Sequence, residues 1–160
     1  MLRKENYMVE YEERLKQREA ELELAIYFAK EFINEFGRQR ALEIIEKAWT
    51  KYGINRMKQR LRGAPSEDRL KKLGEWFKEQ ATNRQELKVV EATPKRVCIE
   101  ISRCPTYDVC KNQGVPEICQ KYCDSDYAVT RTIHPKVKLL RNKEIAYGAD
   151  CCNHCWIMED

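Results

Sequence analysis

Glu86-Leu-Lys-Val-Val-Glu-Ala92, Thr93-Pro-Lys95 and Arg96-Val-Cys-Ile-Glu-Ile-Ser102 form the stretch that decides the fold. Two runs rich in β-branched residues, partly alternating between apolar and charged, flank a three-residue segment that holds proline. That pattern predicts a β-hairpin. Before it, the period is helical. Leu15, Leu22, Ile26, Ala29, Ile33 and Phe36 recur mostly at three- and four-residue steps and draw one apolar stripe. Gly37 is the expected stop, because glycine accepts the left-handed conformation after a helix end. A second helix is expected through Leu42, Ile44, Ile45, Ala48, Trp49 and Tyr52, interrupted or ended near Gly53. A third is expected after Gly63-Ala-Pro65, with Ser66 as its cap and Leu70, Leu73, Trp76 and Phe77 as its buried face.

After the hairpin, two short helices are expected, over about 106–112 and 116–127 and divided by Gly114. Lys136-Val-Lys-Leu-Leu-Arg141 and Cys155-Trp-Ile-Met158 read as two closing strands around a turn at Gly148. Helices first and then β-β-α-β-β predict an α+β fold, with N-terminal helices packed on a small antiparallel sheet. The chain is expected to form a single domain, 1–160. Residues 1–84 are its helical layer, and 85–160 the cysteine-rich α+β part that carries the site.

Composition narrows the function. Thirty basic residues are offset by 26 acidic ones, leaving a formal charge of +4, and the signs are interleaved along the chain. A nucleic-acid protein would show a basic stripe, so no nucleic-acid partner is expected. No run approaches the roughly 20 apolar residues of a membrane span, and the N-terminus lacks the apolar core of a signal peptide, so the expectation is a cytoplasmic protein without a membrane partner. In a reducing compartment, eight cysteines are expected as thiols. All of them fall between Cys98 and Cys155.

Cys119 and Cys123 stand four apart in an expected helix and share a face. Cys152-Asn-His-Cys155 is a C-x-x-C, read as a tight turn able to offer two sulfurs to one ion. Cys104, Cys119, Cys123, Cys152, His154 and Cys155 are the candidate metal ligands, for zinc or an iron–sulfur cluster. Packing of buried thiols is the competing reading for each. It is preferred for Cys98 and Cys110, while Cys151 stays open. Asp126 follows Cys123 by one helical turn and has the reach of a general base or of a clamp for a cationic substrate; a surface charge or a cap is the plainer alternative. His154 is a ligand, a proton carrier or an exposed histidine. Trp49, Tyr52, Trp76, Phe77 and Phe36 sit at helical spacing and read as core, with the lining of a ligand cavity as the alternative. The first helix offers a possible face for a homodimer.

Cys104-Pro105, Gly114-Val-Pro-Glu-Ile118, Cys123-Asp-Ser-Asp126, Ala146-Tyr-Gly148 and Cys152, in that order, resemble the L-2-amino-thiazoline-4-carboxylic acid hydrolase family. The resemblance implies a hydrolase that opens a small cyclic substrate at its C–N/C–S carbon, with Cys123 and Asp126 as catalytic residues at a thiolate- or metal-containing site. The helices-before-sheet order also resembles ligand-binding domains of the vinyl-reductase type. The sequence departs from the family pattern near its end. Ala149 stands where an aspartate is usual, Asn153-His154 replaces Asp-Phe, and Cys151 and Cys155 are additions. The surplus sulfur motivates an alternative: a non-catalytic metal- or iron–sulfur-binding protein for redox sensing, electron transfer or metal handling.

Overall fold

The computed structural model describes residues 2–159, with side chains from residue 10 onward. Five helices and four strands follow in the order α1 (Leu2–Phe36), α2 (Arg38–Arg60), α3 (Arg69–Thr82), β1 (Leu87–Ala92), β2 (Arg96–Ile101), α4 (Pro105–Asn112), α5 (Pro116–Thr130), β3 (Val137–Leu140) and β4 (Cys152–Met158). The helices pack on one antiparallel sheet of order β1-β2-β4-β3. The α+β architecture expected from the sequence is the one observed. No described helix is long and apolar enough to cross a membrane.

Gly37, at φ 76°, ends α1 in the left-handed region and turns the chain straight into α2. The stripe on α1 then buries Leu22, Ile26 and Ala29, whereas Phe36 stays exposed. Gly53 does not end α2, which runs unbroken to Arg60. The glycine serves a close approach instead. A Cβ at Gly53 would lie 2.6 Å from Val129 Cγ2 on α5, so the missing side chain lets the two helices meet. Ser66 opens a single 3-10 turn, Ser66–Asp68, ahead of α3 and makes no cap through its side chain, because Pro65 holds the cap position.

Two cores result. Leu70, Leu73, Val97, Ile99, Ile133, Leu139 and Trp156 join α3 and α5 to the sheet. There Trp156 Nε1–H donates to Thr130 Oγ1 at 3.0 Å, which satisfies the indole inside the core. The second core holds Leu22, Ile26, Ile45, Val109, Cys110, Ile118, Cys119 and Ala146, between α1, α2, α4 and α5. The N-terminal part of α1 is fastened to the α4 side. Tyr11, fully buried, donates to Asp108 Oδ2 at 2.7 Å under the Arg103 guanidinium, and Arg14 pairs with Glu86 at 2.7 Å.

One strand boundary reorders the cysteines. β4 begins at Cys152, so Cys152-Asn-His-Cys155 is extended chain and not a tight turn. Strand residues alternate faces, and an odd separation of three puts Cys152 and Cys155 on opposite sides of the sheet. Cys152, His154 and Trp156 point into the protein. Cys155 lies opposite Cys98 in the β2–β4 ladder, and the two sulfurs form a disulfide. Cys98 is therefore not a free packing thiol, and Cys155 is not a thiolate ligand.

Candidate functional site

Cys104 occupies the N-cap of α4, ahead of Pro105 at the first helical position. The Tyr107 backbone N–H donates to its Sγ at 3.4 Å, so sulfur does the work that an oxygen usually does at this position. Unpaired N–H groups at a helix start favour negative charge. A hydrogen bond from Cys119 contributes most, and together with the Tyr107 and Thr106 amides it outweighs burial, lowering the Cys104 pKa from 9 to about 7.

Cys119, fully buried, is in hydrogen-bonding contact with both Cys104 and Cys123. Those bonds and its burial push its pKa far upward, so it stays a thiol. Its single S–H serves one neighbour at a time. Three sulfurs from α4 and α5 thus meet as a donor between two acceptors. Cys152 approaches from β4, near enough for Cys104 and Cys123 to act on it electrostatically. Its Sγ accepts from the Ile145 N–H at 3.2 Å, and burial raises its pKa to about 12. Cys110 is likewise raised to about 12 by burial and remains a neutral part of the core.

A charged cluster adjoins the sulfurs. Arg141, just after β3, has a side chain only 1% exposed. Its Nη1 donates to the Cys123 carbonyl at 3.0 Å and to Asp126 Oδ2 at 3.2 Å, and lies 3.4 Å from His154 Nε2. Glu144 Oε1 is 3.0 Å from Arg141 Nε, within ion-pair reach but without hydrogen-bond alignment. The guanidinium also stacks over Tyr127. His154, expected as a ligand, a proton carrier or an exposed residue, is buried and stands 3.5 Å from Asp126 Oδ2. Among the described residues, Arg141 Nη2, Glu144 Oε2 and His154 Nδ1 are buried without hydrogen-bond partners. Such orphaned atoms are costly unless something polar meets them.

Of the residues singled out in the sequence, Cys104, Cys119 and Cys123 are brought together, with Cys152 beside them, and Asp126 is brought to His154. Cys155 is removed to the far face of the sheet. Among the described residues, no three His, Cys, Asp or Glu side chains are grouped to hold a metal ion. The six expected ligands therefore do not fit zinc or a cluster as a set. Arg141 and Glu144 escaped the sequence reading. An arginine closing an alternating apolar strand looks like a solvated end, and only the tertiary fold encloses it.

The short motifs also meet in space. Tyr147 O–H donates to Asp124 Oδ1 at 2.8 Å, and Gln120 Nε2 donates to the Ala146 carbonyl at 2.9 Å. Ala146-Tyr-Gly148 is thereby clamped onto the helix that carries Cys123-Asp-Ser-Asp126. The family model described as L-2-amino-thiazoline-4-carboxylic acid hydrolase matches residues 17–156. The chain belongs to this family. No curated protein matches it. Among solved structures, a trafficking protein particle complex subunit 3 from Naegleria fowleri, covalently bound to palmitic acid, aligns with a TM-score of 0.50 at 12% identity. The alignment covers 88% of this chain and 96% of that one. At that identity the likeness is one of fold alone. The match to the hydrolase family runs from α1 into β4, so it takes in the sulfur triad and the Arg141 cluster together.

Proposed function

We propose that the chain hydrolyses a small cyclic aminothiazoline carboxylate between the sulfur triad and the Arg141 cluster. The observation that carries this reading is the presence of two buried nitrogens, Arg141 Nη2 and His154 Nδ1, without partners among the described residues, in the cluster that holds Asp126 and the Cys123 carbonyl. A carboxylate on the substrate suits the unpartnered guanidinium nitrogen, since arginine offers a planar fork of donors. Asp126 then lies close enough to take a proton from water. Oxygen bonds to the ring carbon between sulfur and nitrogen, the C–S bond breaks, and the departing sulfur keeps the bonding pair and gains a proton. The product is an N-carbamoyl cysteine. Cys123, one helical turn before Asp126 and in contact with the Cys119 thiol, is placed to exchange that proton. Cys104, with its lowered pKa, holds negative charge at the far end of the triad.

The test is direct turnover. Purified protein incubated with L-2-amino-thiazoline-4-carboxylate should release a free thiol and gain one water in product mass. Asp126→Asn and Cys123→Ser should lose at least a hundredfold in kcat while keeping the native circular dichroism spectrum. Full activity in either variant removes that residue from the chemistry. No turnover by the folded wild-type protein removes the reaction.

A further inference from the structure

We infer that the open cavity between α1, α2, α3, α4 and α5 binds a free organic anion with an apolar body, its charged end on Arg56, Arg60 and Arg84. The cavity adjoins the proposed hydrolytic site through Asp126, which lines it, but no sulfur of the Cys104–Cys119–Cys123 triad does, and Arg56, Arg60 and Arg84 have no part in the hydrolytic reading.

The cavity has a volume of about 870 Å³, at the upper end of the roughly 300–1,000 Å³ of small-molecule pockets. α2 builds much of it by spacing. Trp49, Tyr52, Arg56 and Arg60 recur at three and four residues, so one helix face is aromatic in its first half and cationic in its second. Phe28 and Phe32 of α1 supply the opposite apolar wall, and Arg84, after α3, adds charge at the same end as Arg60.

The charges do not balance there. The lining holds four arginines against two carboxylates, and both carboxylates are engaged: Glu21 with Arg18, and Asp126 with Arg141. Neither Arg56, Arg60 nor Arg84 has a carboxylate within ion-pair distance among the described residues. Arg60 is half-buried and lies 3.6 Å above the Trp76 ring. Burial depresses its pKa first, and the like charges of Arg56 and Arg84 depress it further, against an opposing effect of Tyr122. Three cations held near one another beside an apolar space, with no carboxylate of the described residues in ion-pair reach, match an anion brought from outside. The apolar walls fix the rest of that ligand. A bare inorganic ion would leave the aromatic half of the cavity unfilled.

Decanoate, decan-1-ol and decylamine share one apolar body and differ in charge. Trp49 and Trp76 line the cavity, so their fluorescence reports occupancy in the full-length protein. Decanoate should bind saturably and at least tenfold more tightly than either analogue. Arg60→Gln and Arg84→Gln should each weaken decanoate about fivefold or more, yet leave the alcohol unchanged. Neither substitution breaks an ion pair, so both proteins should fold. Equal binding of decanoate and decan-1-ol, or wild-type decanoate affinity in both variants, overturns the proposal. So does binding to phosphatidylglycerol vesicles without binding of free decanoate, which would make the arginines a membrane contact.

Discussion

Arg141→Met tests whether the buried cation holds the site together. Methionine keeps most of the apolar stem and removes the charge, so the perturbation is chiefly electrostatic. Asp126 and Glu144 lose their shared counter-ion, and the Cys123 carbonyl loses a donor. Removing one partner of a fully buried ion pair costs about 3–5 kcal/mol, because the remaining charge is stranded. Asp126 is 30% exposed and Glu144 17%, so water recovers part of that cost. Against this, Arg141 Nη2 has no partner among the described residues, and its desolvation penalty is relieved on substitution. The expected net loss is about 3 kcal/mol at pH 7. For a chain of this length that lowers Tm by about 6–12 °C. Urea unfolding followed by circular dichroism measures it, read as a shift in midpoint at constant slope. Adding Asp126→Asn and Glu144→Gln to Arg141→Met should return at least about 1 kcal/mol, since the stranded charges are then gone. A loss below about 1 kcal/mol for the single variant, or no recovery in the triple one, refutes the reasoning and makes the cluster a solvated surface pair.

Iodoacetamide labelling of native protein should rise with pH around a midpoint of about 7 at Cys104, while Cys110 and Cys152, whose pKa values are raised to about 12, stay unlabelled; peptide mapping reads each site, and a Cys104 midpoint near 9 would remove its special environment. The linkage has the matching sign. A folded pKa below the unfolded one contributes stability that is complete above about pH 9 and lost as pH falls through about 7, and the raised thiols contribute stability that is lost as pH climbs above about 9. Gly53→Ala should destabilise by about 1–2 kcal/mol, because overpacking against Val129 costs about 1–3 kcal/mol and the gain in helix propensity returns up to about 1; a stabilised variant in urea unfolding would show that Val129 yields freely.

Much of the fold is legible because its periods are strong and local. The alternation in Leu87–Ala92 and Arg96–Ile101 has one good solution, a hairpin, and the stripe Leu22, Ile26 and Ala29 has one buried face. Gly53 was misleading for a physical reason. Lower helix propensity and close helix packing both select glycine, and a chain read in one dimension shows the first without the second. Nor does local sequence separate a solvated arginine from Arg141. The difference is made by α5, which ends 11 residues before Arg141, and β4, which begins 11 residues after it; both approach the guanidinium.

The cysteines carry the same lesson furthest. Cys119 and Cys123 meet because a helix fixes which residues share a face, and four-residue spacing is decisive once the helix is known. The C-x-x-C at 152–155 has no such guarantee. In a turn its sulfurs converge, whereas in a strand they diverge, and the choice is made by pairing with β2, more than fifty residues earlier. That pairing hands Cys155 to Cys98 and leaves Cys152 facing inward with His154. The substitutions that looked like a move toward metal binding thus divide by face. Cys155 closes a covalent link across the sheet, and His154 joins Asp126 and Arg141. A histidine in this inward position supplies a buried nitrogen beside Asp126, so the departure from the family pattern changes which polar groups meet there and leaves Cys104, Cys123 and Cys152 of the motif in place.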